Sequence, residues 1–153
     1  MSDAPNPVLE KIREAKEKQL KELDLTYDWS GDHEQLTKIP SEVFELEQLQ
    51  ALNLSSNLLK SIPKSISRLQ NLTTLYLGGN KFTDIPESIS QLQNLTLLYL
   101  GDNELTTVPE WISQLQNLTS LDLAGNELTT LPEWISQLHN LTSLDLSDNE
   151  LTT

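Results

Sequence analysis

The sequence predicts an α/β fold: a right-handed solenoid of stacked coils, bent into a horseshoe, with a parallel sheet lining the concave face and short helical turns outside. Three observations carry that prediction. Segments beginning at Leu49, Leu72, Leu95, Leu118 and Leu141 align without gaps at a spacing of 23 residues. Hydrophobic residues make up 37% of the 153-residue chain and aromatics only 5%, so the core must come from repetition rather than from large buried rings. Asparagine and proline also recur in phase with the leucines.

Each element follows in chain order. Residues 1–19 are expected to form an N-terminal tail and an amphipathic capping helix, because a terminal coil otherwise exposes its leucines. Asn6-Pro7 reads as a helix start, with asparagine as N-cap and proline in first place. Over 7–19, Val8, Ile12 and Ala15 share one face with Leu9 beside them, and Glu14 pairs with Lys18 at i, i+4. Such a charged helix also suits a membrane surface or a calmodulin-like partner, but its apolar stripe is short.

Residues 20–153 are expected to form the repeat domain, about six turns with the last incomplete. The first strand is Leu20-Lys-Glu-Leu23-Asp-Leu25, and Leu36-Thr-Lys-Ile39-Pro40 through Leu46 completes its coil. This coil runs 29 residues, with the surplus in the loop Thr26–Gln35. Within that loop Asp28, Asp32, His33 and Glu34 could hold a cation, although they lack a recognised ligand spacing and a solvated polar loop is the simpler reading.

In the later coils, Leu72-Thr-Thr-Leu-Tyr-Leu-Gly-Gly-Asn80 matches Leu95-Thr-Leu-Leu-Tyr-Leu-Gly-Asp-Asn103 and Leu118-Thr-Ser-Leu-Asp-Leu-Ala-Gly-Asn126. Side chains alternate along a strand, so the two leucines of each Leu-x-Leu face inward and the residue between them faces out. The column Asn57, Asn80, Asn103, Asn126 and Asn149 falls where each strand bends, where a buried amide can satisfy loop backbone groups. Ile62-Pro63, Ile85-Pro86, Val108-Pro109 and Leu131-Pro132 each open a short helical turn of the form Pro-x-x-Ile-x-x-Leu. Trp111 and Trp134 are expected on the convex side, ring against ring. The chain stops within its last coil, at Leu151-Thr-Thr153. It is therefore expected to be a piece of a longer protein, or to dock that end on a second copy.

This pattern, L-x-x-L-x-L-x-x-N-x-L, resembles the leucine-rich repeat, and the chain looks like a bacterial leucine-rich-repeat protein of the 23-residue class. Its N-terminal part, Ile12-Arg-Glu-Ala-Lys16, then Leu23-Asp-Leu25, then Leu36-Thr-Lys-Ile-Pro40, is similar to the start of the repeat region in Roco-type proteins. That resemblance implies a cytoplasmic recognition arm regulating a nucleotide switch further along a larger polypeptide. The chain carries no G-x-x-x-x-G-K-[ST] loop, so no GTP site is assigned to it.

Composition narrows the function. The formal net charge is −13, and every lysine and arginine lies at or before Lys81. An acidic surface repels phosphate backbones and anionic lipids, so neither nucleic acid nor membrane is an expected partner. The chain has no cysteine, and Met-Ser-Asp-Ala-Pro is not the start of a secretory leader, so the expected setting is cytoplasmic. The Asn-x-Ser/Thr sequons at Asn53, Asn71, Asn94, Asn117 and Asn140 are read as products of the repeat rather than as glycan acceptors.

No enzyme is expected: His33 and His139 stand far apart, the serines lack a histidine-acid pair, and no cofactor or metal site is assigned. The expected function is recognition of another protein through the concave face. Its central column is Asp24, Asn53, Tyr76, Tyr99, Asp122 and Asp145, flanked by Thr74 and Leu97, with Asp102 and Asp148 just beyond the strands. Tyr76 and Tyr99 should be stacked neighbours, with room left beside them by Gly78, Gly79 and Gly101. An aromatic pair bordered by acids suits a partner with apolar and basic contact residues. The competing reading is that tyrosine is simply a good strand residue with a polar tip.

Overall fold

A computed structural model describes residues 6–31 and 33–152, with Asn6 described in its backbone only. The N-cap role read for the Asn6 side chain, and Asp32 of the candidate cation loop, lie outside the described residues. The described chain begins with helix α1 (Asn6–Glu17). Six strands of three residues follow: β1 (Glu22–Asp24), β2 (Ala51–Asn53), β3 (Thr74–Tyr76), β4 (Leu97–Tyr99), β5 (Ser120–Asp122) and β6 (Ser143–Asp145). They form one parallel sheet in sequential order. The register sets Leu23, Leu52, Leu75, Leu98, Leu121 and Leu144 side by side. A slip of one residue would turn this whole column to solvent, so the leucines fix the register as much as they fill the core.

Between consecutive strands runs a five-residue 3-10 turn: Ser41–Glu45, Lys64–Arg68, Glu87–Gln91, Glu110–Gln114 and Glu133–Gln137. A 3-10 helix has three residues per turn, which is the spacing of Pro-x-x-Ile-x-x-Leu. Thus the Ile66 N–H donates to the Pro63 carbonyl and the Leu69 N–H to that of Ile66, both at 3.1 Å, while both side chains are fully buried. Proline stands at the N-cap of each turn, where a missing N–H costs nothing.

The core is the inward face of every coil. Leu52, Leu54, Leu75, Leu77, Leu98 and Leu100 are fully buried, and Phe82 takes one leucine position without exposure. The asparagine column behaves as its spacing requires. Asn103 Nδ2 donates to the carbonyls of Leu77 (3.1 Å), Leu100 (3.0 Å) and Gly101 (3.2 Å), and its Oδ1 accepts from the Phe82 N–H at 3.1 Å. Asn57, Asn80, Asn126 and Asn149 repeat this arrangement. The Leu36 N–H already donates to Asn57 Oδ1 at 2.8 Å. The surplus of the first coil is therefore absorbed before Leu36, and the ladder is in register from there.

Helix α1 covers the first coil with Val8, Ile12 and Ala15, all buried. It ends two residues before the predicted Gln19. The Leu20 N–H donates to the Ala15 carbonyl (2.9 Å) and the Gln19 N–H to that of Lys16 (3.4 Å), with Gln19 at φ 49°. This is a Schellman closure with glutamine in the left-handed position that glycine usually fills, which is why composition gave no stop signal there. Gln19→Gly is expected to raise the unfolding free energy by about 0.5–1 kcal/mol, since glycine adopts that dihedral without strain. Urea denaturation followed by circular dichroism checks this.

A second ladder supports the first and was not expected from the sequence. Asn71, Asn94, Asn117 and Asn140 donate through Nδ2 to carbonyls of the preceding coil at 2.8–3.0 Å. Thr73, Thr96, Thr119 and Thr142 donate through Oγ1 in the same way at 3.0–3.2 Å. These residues are the Asn and Thr of the four in-phase sequons. Their spacing thus has a structural cause: each sequon supplies two rungs.

Candidate functional site: the open face of the sheet

The face of the sheet turned away from the core carries the candidate site. Pairing aligns Thr74 with Leu97 and Tyr76 with Tyr99, then Leu97 with Ser120 and Tyr99 with Asp122. The tyrosine rings stack with centroids 4.6 Å apart and planes 5° from parallel. That separation is about the spacing of neighbouring strands, roughly 4.8 Å, so the sheet itself imposes the stack. Thr74, Leu97 and both tyrosines are half-buried. The neighbours foreseen for the site are thus brought together.

The rest of the central column has a second occupation that the sequence reading missed. Asp24, Asn53, Asp122 and Asp145 each accept through Oδ1 the backbone N–H two residues on: Thr26 at 2.9 Å, Ser55 at 3.0 Å, Ala124 at 2.9 Å and Ser147 at 3.0 Å. These are side-chain caps on the strand ends. The Ser147 hydroxyl also donates to Asp145 Oδ1 at 2.6 Å. With the Ser147 N–H it holds the Asp145 carboxyl below the ordinary aspartate range.

Asp102 and Asp148 likewise have a backbone reason to be where they are. They sit at φ 54° and 55°, in line with Ser56 at 60°, Gly79 at 65° and Gly125 at 66°. Aspartate is among the few residues that tolerate this conformation. The Asp102 carboxylate lies against Gly125 of the following coil. The acids bordering the tyrosines are therefore turn formers first, and their charge faces solvent as a consequence.

The glycines differ from expectation too. A Cβ on Gly78 would stand 3.2 Å from the Gly101 carbonyl oxygen, and one on Gly101 would stand 3.2 Å from that of Ala124. These positions are tight because successive coils approach closely there, so the small residues serve the backbone rather than opening space beside the rings.

On the convex side, the expected contact between the rings of Trp111 and Trp134 does not form. The ring contacts among the described residues are Tyr76–Tyr99, Tyr27–Trp29 and Tyr27–His33. Trp111 instead donates its indole N–H to the Ile85 carbonyl at 3.2 Å, and both tryptophans pack on the leucine core. An indole N–H needs a partner when half-buried, and the preceding coil supplies it.

In the inserted loop, Tyr27 meets Trp29 edge-on at 4.8 Å and His33 at 5.6 Å. Trp29 is 73% exposed, at φ 61°. His33 Nδ1 lies 2.8 Å from the Glu34 carbonyl oxygen. The described members of the candidate cation cluster are thus built into an aromatic turn, and no group of three metal-binding side chains is assembled among the described residues. Among those residues, too, no helix is long and apolar enough to cross a membrane.

Comparison with known proteins places this geometry. The leucine rich repeat family model matches residues 18–82, 70–128 and 108–151. No curated protein matches the sequence significantly. Among solved structures, a leucine-rich-repeat protein of Leptospira interrogans is 34% identical with a TM-score of 0.66, the match covering 88% of this chain and 45% of that one. The ectodomain of the Arabidopsis thaliana membrane receptor kinase GASSHO1/SCHENGEN3, in complex with CASPARIAN STRIP INTEGRITY FACTOR 2, is 37% identical with a TM-score of 0.74, over 92% of this chain and 17% of that one. An internalin of Listeria monocytogenes is 28% identical with a TM-score of 0.75, over 93% and 46%. The chain therefore spans less than half the length of each of these structures.

Proposed function

The chain belongs to the leucine-rich repeat family, and from that premise we propose that it is a non-enzymatic recognition module that binds another protein through the concave face of its sheet. One observation carries the reading. Tyr76 and Tyr99 are the two members of the central column that cap no backbone amide, and they stand side by side as a parallel stack. Neither hydroxyl has a protein partner among the described residues. Side chains free of structural duty, rigid and half-exposed, are what a binding anchor requires. The receptor ectodomain complex offers a parallel in a protein of the same repeat architecture.

The partner should bring an apolar anchor to the rings and to Leu97, with basic residues for the acids that border them. Asp24, Asn53, Thr74, Asp102, Asp122, Asp145 and Asp148 complete the contact surface. A cysteine-free chain whose four in-phase sequons are already used as ladder rungs fits a cytoplasmic setting. The same face can serve as the recognition arm of a larger Roco-type polypeptide, a reading supported by the N-terminal resemblance. A second copy docking on the half-buried Leu141, Leu144 and Leu146 is the structural alternative. It would appear in light scattering as a mass that rises with concentration.

The test is a double substitution. Tyr76→Ala with Tyr99→Ala should leave the denaturation midpoint nearly unchanged, because neither ring is core. The same variant should weaken capture of the partner at least about thirtyfold, the effect of losing an anchor worth roughly 2 kcal/mol. Undiminished affinity in the folded variant would refute the concave-face reading.

A further inference from the structure

In every coil the backbone amide two residues beyond the strand centre falls to neither the strand ladder nor the asparagine ladder: that of Thr26, Ser55, Gly78, Gly101, Ala124 and Ser147. In four coils the strand-centre Asp or Asn accepts it at 2.9–3.0 Å. Tyrosine offers no acceptor in that place. In the two tyrosine coils the N–H groups of Gly78 and Gly101 accordingly have no hydrogen-bond partner among the described residues. Their carbonyls are in use, accepting from the Ser56 and Gly79 N–H groups at 2.9 Å. Gly101 is buried and Gly78 half-buried. Native backbones rarely leave a donor orphaned in such a position, and here two occur in adjacent coils, two residues beyond the stacked rings.

We propose that the Gly78 and Gly101 amides are a donor pair for the backbone carbonyl or side-chain amide oxygens of an extended peptide segment laid against Tyr76 and Tyr99. This rests on the concave-face reading and adds what that reading lacks, a polar register beside the aromatic anchor. The acceptors are neutral oxygens rather than carboxylates. A Cβ on Gly101 would lie 3.2 Å from Asp122 Oδ1, so a negative group already stands beside the donor. Basic side chains of the same peptide meet Asp122 and Asp145, which the register places in the next two coils.

Nitrogen-15 NMR of the full chain, titrated with the capped peptide acetyl-Leu-Lys-Gly-Lys-Leu-amide, tests the proposal. Binding should move the Gly78 and Gly101 amide protons downfield and slow their exchange, while the capped amides of Ser55 and Ala124 stay in place. Tyr99→Ala removes one ring and leaves the Gly101 amide open, whereas Tyr99→Asn removes the ring and supplies the missing cap. The asparagine variant should therefore bind the peptide about fivefold more weakly than the alanine variant, the factor for one net hydrogen bond. Ring resonances that shift while both glycine amides stay still, or equal affinities for the two variants, would overturn the donor pair and leave the concave-face reading standing. A peptide that perturbs neither β3 nor β4 would overturn both.

Discussion

Asn103→Ala is expected to lower the unfolding free energy by about 3 kcal/mol, since one buried donor left without a partner costs roughly 1–3 kcal/mol and each further hydrogen bond lost adds about 0.5 kcal/mol or more. The Asn103 amide holds three carbonyls of two coils and accepts the Phe82 N–H of the coil before, and the residue is buried. Alanine leaves the Phe82 N–H without its acceptor, in a site too enclosed for water to replace it freely, while the Leu77, Leu100 and Gly101 carbonyls keep their bonds from Asn80 Nδ2, Asn126 Nδ2 and the Gly79 N–H. The loss should appear as a lower midpoint in urea, with the early transition in the coils around β4. By contrast, the exposed Asn117 makes a single bond of this kind, to the Gln93 carbonyl at 2.8 Å. Asn117→Ala should cost no more than about 1 kcal/mol, the net worth of one hydrogen bond.

Leu98→Ala should cost about 3 kcal/mol, within the range for emptying a fully buried leucine site. Leu98 is fully buried and pairs in register with Leu75 and Leu121. Three-residue strands cannot collapse around a cavity without breaking the ladder on both sides, which argues against much relaxation. Leu98→Met, which keeps the volume, should cost less than about 1.5 kcal/mol. The same pair of substitutions at Leu144, half-buried in the last described coil, should differ much less. Thermal denaturation of the four variants under one buffer checks the ordering.

How much of this was legible in the sequence follows from the kind of force at each position. The inward leucines, the asparagine column and the proline-led turns were legible because each repeats in phase, and a repeated side chain must repeat its environment. The tyrosine stack followed from register alone. What escaped was set by hydrogen bonds with no compositional mark. Gln19 closes α1 in a conformation usually marked by glycine. The sequon residues were read as products of the repeat, but nothing in their composition showed that their side chains bridge coils. The column acids were read as charge, yet each of Asp24, Asp122 and Asp145 caps an amide two residues along. A rule available from the sequence would have found these caps: Asp or Asn at the strand centre, with a loop amide two positions later, is an Asx turn. The tyrosines then stand out as the exceptions. Trp111 was misjudged because ring contact with Trp134 was inferred from repeat position alone. Its indole N–H reaches back to Ile85 instead.

On the proposed function, the aliphatic repeat frees one face of the sheet for a protein partner, with Tyr76 and Tyr99 at its focus. Hydrogen exchange of the chain with and without its captured partner measures this most directly. New protection should concentrate in β3, β4 and the turns after them, over residues 74–79 and 97–102. Protection confined to the 3-10 turns around Trp111 and Trp134, with β3 and β4 unchanged, would contradict it.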